Sequence, residues 1–231
     1  MSKPTGYIIY EGPSSIDNQP IVVIATMKTT NVKTGDMVQI WILRSDVSPT
    51  DASKSGEDSS ICGDCTARHF LGGHCYVNLG QAPLAIYKSY KKGNYPILTD
   101  YSIFNDREVR FGAYGDPVNI PLALVRIISK QSNKYTGYTH QWNNPKFNEY
   151  KQYFMASTDN EEQTIDSHSK KWRSFRVITE KQRKLSNEIE CLSDSKGLQC
   201  RDCSLCNGNK AGKSIFITVH GSRSKRFNEV K

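Results

Sequence analysis

The chain has 231 residues, 37% of them hydrophobic, and a formal net charge of +8. No apolar run approaches the ~20 residues of a bilayer span. The opening MSKPTGYIIYEG lacks the apolar stretch of a secretory signal. These features exclude a membrane-spanning protein and place the chain in a cytoplasm, its own or a host's. The positive excess favours an anionic partner, nucleic acid first.

The start reads as strands: GYIIY at 6–10, PIVVIAT at 20–26 and MVQIWILR at 37–44 are short and β-branched, with turn-rich stretches between them. Residues 48–60 read as a polar loop into a first cysteine group, 61–79. From 80 to 189 strand and helix alternate. QAPLAIYKSYKKG at 81–93 carries a helical stripe of Ala82, Ala85, Ile86 and Tyr90 and stops at Gly93. Strand 108–116 leads into a helix over 117–130 with Ile120, Leu124, Ile127 and Ile128 on one face. Strand 135–142, a short helix near 145–152 and strand 153–158 follow. A helix over 159–172 is capped by Asp159, with Glu161 and Glu162 in its first turn. Strand 174–178, a second cysteine group at 190–208, and a final strand at 214–221 with a basic tail complete a single domain, 1–231. The alternation predicts α/β architecture: a parallel sheet resembling an incomplete or small (β/α) barrel, or else a doubly wound open sheet.

All seven cysteines fall in the two groups. In a reducing compartment such clusters point to metal before disulfides. Cys191, Cys200, Cys203 and Cys206 suit tetrahedral zinc or an iron–sulfur cluster. In the first group Cys62 and Cys65 form CxxC and Cys75 lies ten further on. His69 or His74, His74 preferred, completes a zinc set. Alternatively the three thiolates hold a [4Fe–4S] cluster with one open iron, or Cys62 and Cys65 do dithiol chemistry. GNKAGKS at 208–214 is one residue short of a phosphate-binding loop and precedes a strand, so it reads as a basic turn.

Polar residues gather where strands end. GAYGDP brings Tyr114 and Asp116, and MASTD brings Asp159. THQW brings His140, Gln141 and Trp142, which can stack a planar base and read its edge. Arg176 in SFRV calls for an anionic partner. Asp116 before Pro117 is also a plausible helix cap, and His220 ends the last strand.

GAYGDP, TGYTHQW, MASTD and SFRV, followed by C-x8-C-x2-C-x2-C, resemble a family of small bacteriophage and bacterial proteins, mostly uncharacterised. The likeness runs from GYIIYEGPSSID to ITVHG. The order of YFMASTD, helix, SFRVI and four cysteines is similar to that in tRNA-guanine and DNA 7-deazaguanine transglycosylases. There a barrel's last helix and strand lead into a zinc site. This resemblance implies Asp116 and Asp159 as nucleophile and general acid/base, and guanine or 7-deazaguanine exchange on DNA; the base would be held by His140, Gln141 and Trp142, with Tyr114 and Arg176 as further substrate-binding residues. Those enzymes carry C-x-C-x2-C with a distant histidine, and they are longer. The three early and four late cysteines also resemble radical S-adenosylmethionine proteins, whose usual spacing is C-x3-C-x2-C. This alternative implies iron–sulfur clusters and S-adenosylmethionine. A third reading is a zinc-containing DNA- or RNA-binding protein without enzymatic activity.

Overall fold

The computed structural model describes residues 4–208, 211–220 and 224–230. The β-branched runs become β1 (Gly6–Pro13), β2 (Pro20–Thr26) and β3 (Val38–Arg44), paired antiparallel in that order. The sheet then turns parallel: β4 (Glu108–Tyr114) lies beside β3, and β5 (Lys134–Thr136) beside β4. A second sheet holds β6 (Tyr138–Thr139), β7 (Met155–Thr158), β8 (Ser174–Ile178), β9 (Glu188–Glu190) and β10 (Ser214–Thr218), in the order β6-β7-β8-β10-β9. All its pairings are parallel.

Gly137 alone separates β5 from β6. A Cβ there would stand 2.6 Å from the Phe154 ring, and its N–H donates to the Cys206 carbonyl at 3.0 Å. Within each sheet the parallel strands β3, β4 and β5, and β6, β7 and β8, lie side by side in chain order, as strand–helix alternation predicts, whereas β10 enters between β8 and β9. The architecture is mixed α/β in two five-stranded sheets. The first sheet is only partly parallel, and no closed barrel forms among the described residues.

The helices are α1 (Pro49–Ser55), α2 (Ser59–Cys62), α3 (Ala82–Lys91), α4 (Leu122–Gln131), α5 (Glu161–Ser169), α6 (Leu192–Lys196), α7 (Cys200–Cys203) and α8 (Ser224–Val230). None is long and apolar enough to cross a membrane among the described residues. Several differ from expectation. The polar stretch 48–60 contains α1 because Ser48 accepts the Asp51 N–H and Pro49 stands in the first turn; Pro49, Ala52 and Ser53 are buried. Pro121 forces Ile120 to be extended (φ −85°, ψ 124°), so a 3-10 turn (Pro117–Asn119) precedes α4 instead of one long helix. The expected stripe breaks accordingly: Val125 and Ile128 point inward while Ile127 is 40% exposed. Asn160, rather than Asp159, caps α5, its side chain accepting the Gln163 N–H. Strand 135–142 divides at Gly137 and ends in a 3-10 turn (Gln141–Asn143).

The main core joins β1–β5 to α3 and α4 through Ile21, Val23, Ile40, Ile42, Phe111, Val125 and Phe154. A smaller cluster of Met155, Cys206 and Ile215 gathers Tyr138, Phe175, Ile189, Cys191 and Leu205 around it. The second cysteine group is thus part of the packing of the second sheet.

Candidate functional site

The carboxyl ends of β4, β6 and β7 are neighbours, and they carry Asp116, His140 and Asp159. Gly115 adopts φ +80°, with Ile42 only 2.7 Å from where its Cβ would be, so β4 ends tight against β3. Asp116 follows, buried. One carboxylate oxygen accepts the Val118 N–H at 3.2 Å, capping the turn, and the other accepts the His140 N–H at 2.8 Å. Burial raises the Asp116 pKa, against the pull of His140 and these hydrogen bonds. Asp116 therefore does the cap's work and also pins the next strand end. Asp159 is half-buried, and its Oδ2 accepts from the Thr66 hydroxyl at 2.9 Å.

Thr66 belongs to the first cysteine loop, which folds back on itself. Cys65 N–H donates to Cys62 O, Arg68 N–H to Cys65 O, and Cys75 N–H to Ala67 O at 2.8 Å. Gly73 passes so close to Ala67 that a Cβ would meet its carbonyl carbon at 2.3 Å. Arg68 clasps the loop, donating to Asp58 Oδ1 at 2.9 and 2.7 Å and to the Gly56 carbonyl at 2.6 Å. The loop then docks on the strand ends, where Cys65 Sγ lies 3.6 Å from His140 Nε2. Burial alone would depress the His140 pKa. Cys65, Asp159 and Asp116 carry it the other way, to about 9. Burial lifts the Cys62 thiol well above its ordinary range, and Cys65, Asp58, Cys75 and Asp116 add to the effect.

Two buried polar atoms beside this loop, Tyr114 Oη and Gln141 Nε2, have no hydrogen-bond partner among the described residues. Such atoms are costly unless a ligand or water satisfies them. Gly63, at φ +55°, lies directly under Gln141; a Cβ there would be 2.2 Å from Nε2. His74, expected as a metal ligand, packs edge-on against Phe227 at 4.5 Å, and the imidazole that reaches Cys65 is that of His140.

The second group is anchored by its backbone. Cys191 N–H donates to Phe216 O on β10, Cys200 N–H to Lys33 O, and Gly208 N–H to Tyr153 O. The four thiols lie within one another's electrostatic reach. Cys206 is pushed up to about 12 by burial and by Cys191, Cys200 and Cys203, against a hydrogen bond from Tyr138. Burial also raises Cys200, against nearby Arg110. The donor chemistry of both groups fits a thiophilic ion. The side-chain positions do not enclose one: no three His, Cys, Asp or Glu side chains converge as a metal site among the described residues. His220 pairs instead with Asp194 at 3.4 Å and Lys33 at 3.1 Å on the surface.

Two further expectations are corrected by placement. Arg176 is 1% exposed and bound bidentately to Glu188 at 2.9 and 2.6 Å, so its guanidinium closes an internal pair instead of facing the rim. Trp142 is buried, its Nε1 donating to Ser157 O at 3.1 Å with Lys170 Nζ 5.4 Å above the ring. It braces β6 against β7 and offers no open stacking face. Residues that local reading passes over, Thr66, Arg68 and Arg110, all matter here. Only Arg110 had a signal, a charge inside the strand EVRFGAY. Part of the phosphate-loop-like stretch, 209–210, lies outside the described residues.

Compared with known proteins, the chain matches no family model, no curated protein and no solved structure.

Proposed function

We propose that this protein exchanges bases on a nucleic acid, with DNA as the target and guanine or a 7-deazaguanine as the base, at the rim formed by Asp116, His140 and Asp159. The observation that carries the reading is the placing of two carboxylates about His140, Asp116 from the end of β4 in the first sheet and Asp159 from the end of β7, the neighbour of β6 in the second, roofed by the first cysteine loop. Reactive groups collect at such strand ends on both barrel and open-sheet scaffolds. Asp159 is the more accessible carboxylate and is assigned as nucleophile. Its oxygen bonds to the sugar carbon as the glycosidic bond breaks, and the departing base keeps the bond pair and takes up a proton from solvent. The incoming base gives up a proton to solvent, bonds to the same carbon and releases the Asp159 carboxylate. Asp116, with both oxygens engaged by backbone N–H groups, is a positioning residue that holds His140. Tyr114 and Gln141, with unsatisfied polar atoms, supply donors for the base. The +8 charge and the basic hollow lined by Lys151, Lys171 and Arg173 suit the phosphates.

Cys191, Cys200, Cys203 and Cys206 are proposed as a structural zinc site; binding requires their sulfurs to converge further. The test is incorporation of labelled guanine into DNA and RNA by the wild type, Asp159→Asn and Asp116→Asn. Asp159→Asn is expected to fall to background while remaining folded. Retention of full exchange in that variant refutes the assignment.

A second reading is supported by one observation. The three-cysteine loop follows the first strand of the parallel series and sits on the strand tips, the arrangement a radical S-adenosylmethionine enzyme would need. An open-site iron–sulfur cluster would supply one-electron chemistry there. Protein purified without oxygen would then be brown and contain iron; colourless protein containing zinc excludes this reading.

A further inference from the structure

Arginines that enter this protein are closed by acids or carbonyls. Arg44 holds Asp46 at 2.9 Å, Arg68 holds Asp58 at 2.7 Å and Arg176 holds Glu188 at 2.6 Å. Arg173 donates to the carbonyls of Leu205, Asn207 and Lys213. Arg110, on β4, differs. Among the described residues no carboxylate lies within ion-pair distance of it. Its Nη2 donates to the Tyr76 hydroxyl at a long 3.3 Å.

Solvent still touches Arg110, yet protein surrounds it. Burial opposes its charge, and Tyr76, Tyr138 and Cys200 are the groups that offset this. Tyr138 packs on Phe175 with ring centres 4.5 Å apart. Tyr76 follows Cys75 of the first cysteine group and Cys200 belongs to the second, so Arg110 stands between the two. A partly desolvated guanidinium without an acid is costly in the free protein and is relieved by an oxyanion, which its planar fork engages bidentately. The rings beside it favour a ligand with an aromatic face.

We propose that Arg110, framed by Tyr76 and Tyr138, is a subsite for the oxyanion, phosphate or carboxylate, of an aromatic substrate. Its assignment to the phosphate of a target nucleotide rests on the base-exchange reading, whereas oxyanion binding does not.

The test is calorimetric titration of the full chain with guanosine 5′-monophosphate, guanosine, inorganic phosphate, benzoate and benzamide. The monophosphate is expected to bind about tenfold or more tightly than guanosine, the gain of one charge-assisted contact. A preference for benzoate over benzamide without that phosphate effect identifies a carboxylate subsite instead. Arg110→Met should abolish the oxyanion preference, and Arg110→Lys, which keeps the charge but loses the fork, should retain part of it. If Arg110→Met fails to fold, Arg110→Lys carries the comparison. Equal binding of charged and neutral ligands by the wild type overturns the proposal, as does an unchanged preference in Arg110→Met. Loss of bound metal in Arg110→Met with the preference intact also overturns it, because Arg110 would then serve the thiolate charge. Wild-type protein that shows the preference but no base exchange refutes the exchange reading alone. Exchange with unchanged KM in Arg110→Met refutes the subsite alone.

Discussion

Glu188→Ala gives the sharpest separation between a structural and a substrate-facing Arg176. Glu188 is 2% exposed, and both side chains of the pair are shielded. Glu188 accepts two hydrogen bonds from Arg176 and a third from the Leu185 N–H at 2.7 Å, while Arg176 Nη2 also donates to Arg183 O at 3.1 Å. Removing the carboxylate leaves a guanidinium inside protein with no counter-charge, a loss of about 3–5 kcal/mol. That is a large share of the ~5–15 kcal/mol by which a domain is stable. At about 2–4 °C per kcal/mol for a chain of this size, Tm should drop by roughly 6–20 °C. Urea denaturation followed by circular dichroism measures the free energy, and a thermal scan the midpoint. The double variant Arg176→Met/Glu188→Leu should regain much of the loss, because apolar replacement of a buried pair is often neutral or better. A Glu188→Ala protein that loses less than about 1 kcal/mol, within the range of an ordinary substitution, refutes the reasoning. Were that protein also unable to bind nucleic acid, Arg176 would return to the substrate side.

Gly73→Ala should open the first cysteine loop, since the added methyl would stand 2.3 Å from the Ala67 carbonyl carbon. The expected result is earlier proteolysis within residues 62–75 and loss of base exchange, with the far-UV spectrum little changed; an intact, active loop would contradict the packing described. His168 Nε2 lies 3.0 Å from Ser174 Oγ and 2.8 Å from Ser214 Oγ, and burial lowers its pKa. A depressed folded-state value means that its stabilisation is present above the unfolded value of ~6.5 and is lost as pH falls through the folded one. Urea midpoints measured downward from pH 7 should therefore decline in the wild type and decline less in His168→Gln, and equal slopes would exclude the link.

Local chemistry made much of the fold readable. The β-branched runs at 20–26 and 174–178 became strands, the stripe ending at Gly93 became α3, and Pro117 after Asp116 marked a capped turn. Each depends on residues a few positions apart. The failures were also local in origin. Pro121 outweighed the apolar pattern around it, and the cap at Ser48 made a helix of a stretch whose composition looked like loop.

The two cysteine groups and the polar strand ends were thus visible in the sequence, because spacing and residue type determine what chemistry a segment can offer. Which groups meet was decided only by tertiary packing. His140 reaches Cys65 across 75 positions of chain, Asp159 reaches Thr66 across 93, and Arg176 turns inward to Glu188 because β8 and the segment before β9 bury both side chains. The physical reason is that parallel strands bring their ends together only through long crossovers, so the neighbours at a rim carry no short-range sequence signal.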